Sequence, residues 1–180
     1  MCGLFLTACA IESACGSFGS TYLVEQRGLG ADTAAGIILF YYVGLALGRF
    51  VSGLAAEIIH SWKIVRIGQI ILGLGIFALI LPGSIPLTAA GFFLVGFGNG
   101  PQYPNFSYLT PIIFGEKGSP SIMGVEMAVS SLTSMTTPVL CGFLGQRIGM
   151  WILPFYLLIF LIGMIAIYLQ ADNVFWAAKK

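Results

Sequence analysis

Charge is what this sequence has least of. Its 180 residues include eight Lys and Arg, seven Asp and Glu and one His, so 8% are charged while 58% are hydrophobic and the mean hydropathy is +0.96. A soluble domain needs about 25% charged residues to coat its surface, so the chain is read as an integral membrane protein, all-α and polytopic. A net charge of +1 provides no basic face for a nucleic acid, and none is expected as a partner. Histidine is nearly absent as well. His60 stands alone beside Lys63, with no second histidine for a metal site or a nucleophile and base pair, and there is no HExxH or GxSxG. The glycines do not form a phosphate cradle, since GFGNGP (96–101) lacks the GxGxxG frame after a strand and no GxxxxGK[ST] occurs. No enzyme activity, cofactor or metal is expected. Cys2, Cys9, Cys15 and Cys141 lie in apolar runs without a CxxC pair and read as small packing residues.

What is present is a series of long apolar runs. The spans 3–24, 34–59, 64–81, 85–114, 121–144 and 151–169 predict six transmembrane helices. The short charged or Gly/Pro turns 25–32, 60–63, 82–86, 115–119 and 146–149 make consecutive helices antiparallel neighbours. Leu6 to Cys9 resembles a cleavage box, but the first basic residue is Arg27 and the apolar run continues to Val24, so the segment is read as a span rather than a signal peptide. With the N-terminus inside, Arg49, Lys63, Arg66, Lys117, Lys179 and Lys180 fall on the cytoplasmic side and Arg27 and Arg147 outside. Both termini are therefore expected in the cytoplasm, with the chain in the cell membrane.

Within the fourth span the stretch 96–126 is organised differently. Asn99, Gln102 and Asn105, with Pro101 and Pro104, would go unsatisfied in hydrocarbon at several kcal/mol per group. A broken, polar helix of this kind is expected to border a solute path. Most glycines read as packing residues, with Gly98 and Gly100 expected to soften the helix beside Pro101. Two carboxylates lie inside spans. Glu12 is in the middle of the first, where a charge costs at least ~2.5 kcal/mol, so it should face a cavity. No Lys or Arg is read at matching depth, so Glu12 is expected to gain and lose a proton. The alternative is a protonated Glu bonded to a neighbouring helix. Glu126 begins a polar stripe with Ser130, Thr133 or Ser134, and Thr137, whose hydroxyls alternatively bond back to their own helix. Ser13, Gly16, Ser17 and Ser20 continue from Glu12 as a small-residue groove, and Phe18, Tyr22, Tyr41, Tyr42 and Tyr103 add aromatic surface. The substrate-binding set is therefore Glu12, Ser13, Gly16, Phe18, Tyr41, Asn99, Gln102, Tyr103, Asn105, Glu126 and Ser130, with Glu12 and Glu126 as proton-coupling groups.

The stretch GRFVSGLAAEIIHSWKIVRIG (48–68) resembles the junction of helices 8 and 9 in major facilitator superfamily transporters. AIESACGSFGSTYLVEQRG (10–28), GPQYPNFSYLTPIIFGEKGSPSIMGVEMA (100–128) and ILPFYLLIF (152–160) resemble the C-terminal half, helices 7 to 12, of the fucose permease-like branch, the fucose:proton symporters. That resemblance implies alternating access, a small polar solute such as a sugar, and proton coupling. It also implies a second six-helix half as partner, either a preceding half absent from residues 1–180 or another copy. Phe18 stands where close relatives are expected to carry tryptophan, which weakens sugar stacking. Arg49, Glu57, Lys63 and Arg66 are expected to form a gating cluster at the junction. The competing expectations are an efflux transporter of the same superfamily, or a half without transport activity that acts only in assembly.

Overall fold

Apolar side chains on nearly every face of the spans leave no polar side to turn to water, so the chain buries itself by packing helix against helix and leaves the remainder for lipid. The computed structural model describes residues 1–115 and 118–178, with the side chains of 172–178 excepted. Seven α-helices follow one another: α1 Cys2–Arg27, α2 Ala31–Ala55, α3 Ser61–Ile80, α4 Ile85–Asn99, α5 Gln102–Phe114, α6 Ser119–Ile148 and α7 Leu153–Ala178, with a 3-10 turn at Met150–Ile152 before the last. Five of the helices, α1, α2, α3, α6 and the last, are long and apolar enough to cross a membrane. Lys117, Lys179 and Lys180 of the expected basic set lie outside the described residues.

The expected fourth span, 85–114, is two helices. The break is in hydrogen bonding rather than direction. Gly100 (φ −50, ψ −48) and Pro101 (φ −66, ψ −23) both keep right-handed helical dihedrals, and Pro101 and Pro104 lack only the N–H that would bond back to Phe97 and Gly100. At 15 and 13 residues, α4 and α5 are each short of the roughly 20 that a crossing needs.

α4 packs along both α2 and α3, and the seam is built on glycine. A Cβ added at Gly44 or Gly48 would strike the Phe93 or Phe97 carbonyl, one at Gly96 would strike the Tyr41 carbonyl, and one at Gly98 would meet the Leu72 amide. Backbone on backbone is the closest approach two helices make, and it exposes carbonyls and dispersion contacts that lipid does not offer. Gly98 and Gly100 are thus packing residues like the others, and the expected softening gives way to close contact. α1 forms the opposite side of the core, against α6 and α7, with Leu4, Ile11, Ala14 and Leu23 fully buried.

Candidate functional site

The three amides of the α4–α5 break face neighbouring helices, and the segment gives Tyr103 and Pro104 to a cavity wall instead. Asn99, Gln102 and Asn105 are all buried, and each amide ties a different helix to the break. Asn99 Nδ2 donates to the Ala8 carbonyl of α1 at 3.3 Å. Gln102 Nε2 donates to the Val65 carbonyl of α3 at 3.2 Å and to Gly98 at 3.1 Å. Asn105 Nδ2 donates to Ser52 Oγ of α2 and to the Pro101 carbonyl, both at 2.7 Å. The amide N–H groups find partners in neighbouring carbonyls and the Ser52 hydroxyl, while Asn99 Oδ1 and Gln102 Oε1 are buried without a hydrogen-bond partner among the described residues, and none of the three is in the cavity wall where it is expected.

A cavity of about 780 Å³ opens instead beside α1. Cys9, Glu12, Ser13, Gly16 and Ser17 line it from α1, Tyr42 and Arg49 from α2, Tyr103 and Pro104 from α5, and Ser134 from α6. Spacing on α1 explains its share, since residues 9, 12, 13, 16 and 17 fall on one helical face. Of the expected set, Glu12, Ser13, Gly16 and Tyr103 are on this wall. Tyr41 is fully buried, and its ring lies edge-on to Tyr42 with centroids 5.2 Å apart. Phe18 packs over Gly142 of α6. Ser130 Oγ donates to the Glu126 carbonyl at 2.8 Å and Thr133 Oγ1 to Val129 at 2.8 Å, so these hydroxyls of the stripe bond back to their own helix. Glu126 is buried against Thr110 of α5, with 3.0 Å from the hydroxyl to each carboxyl oxygen.

Glu12 is not unpartnered. Arg49 Nη2 lies 3.1 Å from its Oε1 and 3.0 Å from its Oε2, the one ion pair among the described residues. This overturns the reading that no basic residue stands at its depth. Depth counting across the α1–α2 turn carries the signal: Glu12 is 15 residues before the end of α1 and Arg49 18 residues after the start of α2, and three residues amount to only ~4.5 Å of helix rise. Arg49 is therefore drawn into the cavity and away from the expected gate, while Glu57, Lys63 and Arg66 are exposed and form no ion pair among the described residues. With both side chains partly exposed, 46% for Arg49 and 35% for Glu12, the pair remains within reach of a solute.

The rest of the wall is unoccupied hydrogen-bonding capacity. Ser13 Oγ is committed to the Cys9 carbonyl at 2.7 Å, whereas the hydroxyls of Ser17, Tyr42, Tyr103 and Ser134 make no hydrogen bond to another described residue. Pro138 in α6 has no N–H for the Ser134 carbonyl four residues back, leaving an acceptor at the same wall. Cys9, Pro104 and Ser134 are the lining residues that sequence patterns single out least, because a cysteine, a proline and one serine among several hydroxyls look alike in any apolar helix.

Residues 1–176 match the family model of the Major Facilitator Superfamily. An uncharacterised MFS-type transporter of Yersinia pestis is 25% identical over 135 residues, 72% of this chain and 33% of that protein. Crystal structures of a peptide transporter POT superpose with TM-scores of 0.75 for a complex with sulfate and 0.76 for a mutant complex with alafosfalin, at 18% identity. They cover 91% of this chain, which in turn covers 36% and 37% of theirs. The chain thus spans about a third of the length of the relatives it matches, and at that identity the structural likeness shows the fold alone. With residues 1–176 matched by that family's model, the all-helical chain belongs to the Major Facilitator Superfamily.

Proposed function

We propose that this chain forms one six-crossing half of a secondary transporter for a small polyhydroxylated solute such as a sugar, working by alternating access. The observation that carries this reading is the charge-neutral cavity wall. Glu12 and Arg49 cancel each other, and four hydroxyls with two tyrosine rings stand around them. Such a wall supplies donors and acceptors in mixed order together with aromatic faces, which suits a solute of many hydroxyls better than an ion. α4 and α5 together make the sixth crossing, and a second six-helix half closes the cavity from the other side. Proton coupling belongs to Glu12. Protonating its carboxyl removes the charge that holds Arg49, so proton and solute compete for or share one ion pair. Both chain ends lie on the cytoplasmic side in this reading.

The test is uptake of labelled sugars into proteoliposomes containing the chain and a matching second half. Sugar uptake should accelerate under an imposed pH gradient and slow when a protonophore collapses it. Uptake indifferent to the gradient would remove the coupling. Displacement by hydrophobic cations or peptides, and not by sugars, would remove the solute class.

A further inference from the structure

The second membrane carboxyl has surroundings opposite to those of Glu12. Glu126 is 1% exposed, and among the described residues no basic side chain reaches it. Its partner Thr110 is fully buried. The Thr110 hydroxyl lies 3.0 Å from each carboxyl oxygen and also 3.1 Å from the Phe106 carbonyl in its own helix.

A hydroxyl has one hydrogen to give, and the two possible assignments differ sharply. With an ionised Glu126, Thr110 donates to the carboxylate, which is left with a single donor for a full buried charge. With a protonated Glu126, the acid O–H donates to Thr110 Oγ1 and the threonine hydrogen passes to the Phe106 carbonyl, so that each hydrogen has an acceptor. The chain of bonds closes only in the second case.

We infer that Glu126 is a proton-binding site that latches α5 to α6, neutral in this conformation and able to release its proton only as the two helices part. This pairing is the one side-chain hydrogen bond between α5 and α6 among the described residues. The groups facing it are few. α5 contributes Thr110 and no charged residue, and 150–171 contains none either. Just before α1 the Met1 amine is the nearby charge, and on α1 Glu12 is occupied by Arg49. The latch rests on the α5–α6 geometry and not on the solute or on the role proposed for Glu12.

Infrared spectroscopy of the purified protein in lipid nanodiscs tests it. At neutral pH the spectrum should contain a protonated carboxyl band that shifts on deuteration, persists in Glu12→Gln and is lost in Glu126→Gln. Thr110→Val should move that band to the position of a free acid, which keeps the test decisive if Glu126→Gln does not insert. Spin labels at the exposed positions Ile112 and Met127, introduced as Ile112→Cys and Met127→Cys, should separate as rising pH removes the band, and stay fixed in Glu126→Gln. A neutral-pH spectrum without a protonated carboxyl, a band that survives Glu126→Gln, a band unmoved by Thr110→Val, or labels that separate equally in Glu126→Gln would each overturn the proposal.

Discussion

Arg49 and Glu12 settle by geometry what each does for the other. A single guanidinium nitrogen, Nη2, stands 3.0 to 3.1 Å from both carboxylate oxygens, which leaves the planar group's other N–H donors for a solute, donors that a lysine ammonium on a flexible stem does not supply. Arg49→Lys should therefore lower solute affinity by about tenfold, or ~1.4 kcal/mol, and Arg49→Ala by more, as read by binding titration. Glu12→Gln should behave differently, keeping solute binding while uptake loses its response to the pH gradient. Equal effects of the two changes on affinity would show that the pair acts only as a packing element. Accessibility labelling of single cysteines on the two membrane faces adds a separate readout for Arg49→Ala. Altered labelling is expected, because freeing Glu12 removes the tie between α1 and α2 on which the observed conformation depends.

At the scale of elements the α4–α5 break is a hub, bonded through three amides to α1, α3 and α2 in turn. Replacing Asn105 or Gln102 by Leu removes these ties and, at Asn105, leaves the buried Ser52 hydroxyl without its partner, and each change should cost about 1–3 kcal/mol of stability, seen as a lower thermal midpoint in detergent, with solute affinity unchanged. Gly96→Val should cost a similar ~1–3 kcal/mol by forcing α4 from α2, and should also widen their separation in cross-linking. These helices are largely legible from sequence, since apolar runs of membrane length with short turns admit few arrangements. The role of the amides is not. A polar side chain in hydrocarbon must have a partner, but sequence shows only that need, and both a wet cavity and a neighbouring carbonyl satisfy it. The N–H groups of Asn99, Gln102 and Asn105 are taken up by carbonyls and the Ser52 hydroxyl, whereas Glu12, too large a charge to be satisfied by backbone alone, reaches the cavity. Arg49 is harder to read, because a basic residue near a span also serves as a topology signal and only its depth opposite Glu12 across the α1–α2 hairpin separates the two roles.

For the whole molecule, five membrane-length helices plus the α4–α5 pair give six crossings in the proposed arrangement, with both ends on one face. Cysteines introduced at His60 and Gly118 should therefore be modified by an impermeant reagent from the same side, and one at Gly30 from the other. Labelling of His60 and Gly30 from one side would reject that arrangement. A further consequence concerns time. Arg27 Nη2 is held by the carbonyls of Leu79 and Leu81 at 3.0 and 2.8 Å, and Tyr22 Oη by Leu79 at 2.9 Å. Those acceptors lie 52 to 57 residues further along the chain, and at ~5–20 residues per second they leave the ribosome roughly 3 to 10 s after the donors do. For that interval the Arg27 end of α1 is without these acceptors. Only when α3 emerges is the guanidinium supplied with the carbonyls at that helix's end, so this end of the first helix is completed by the third.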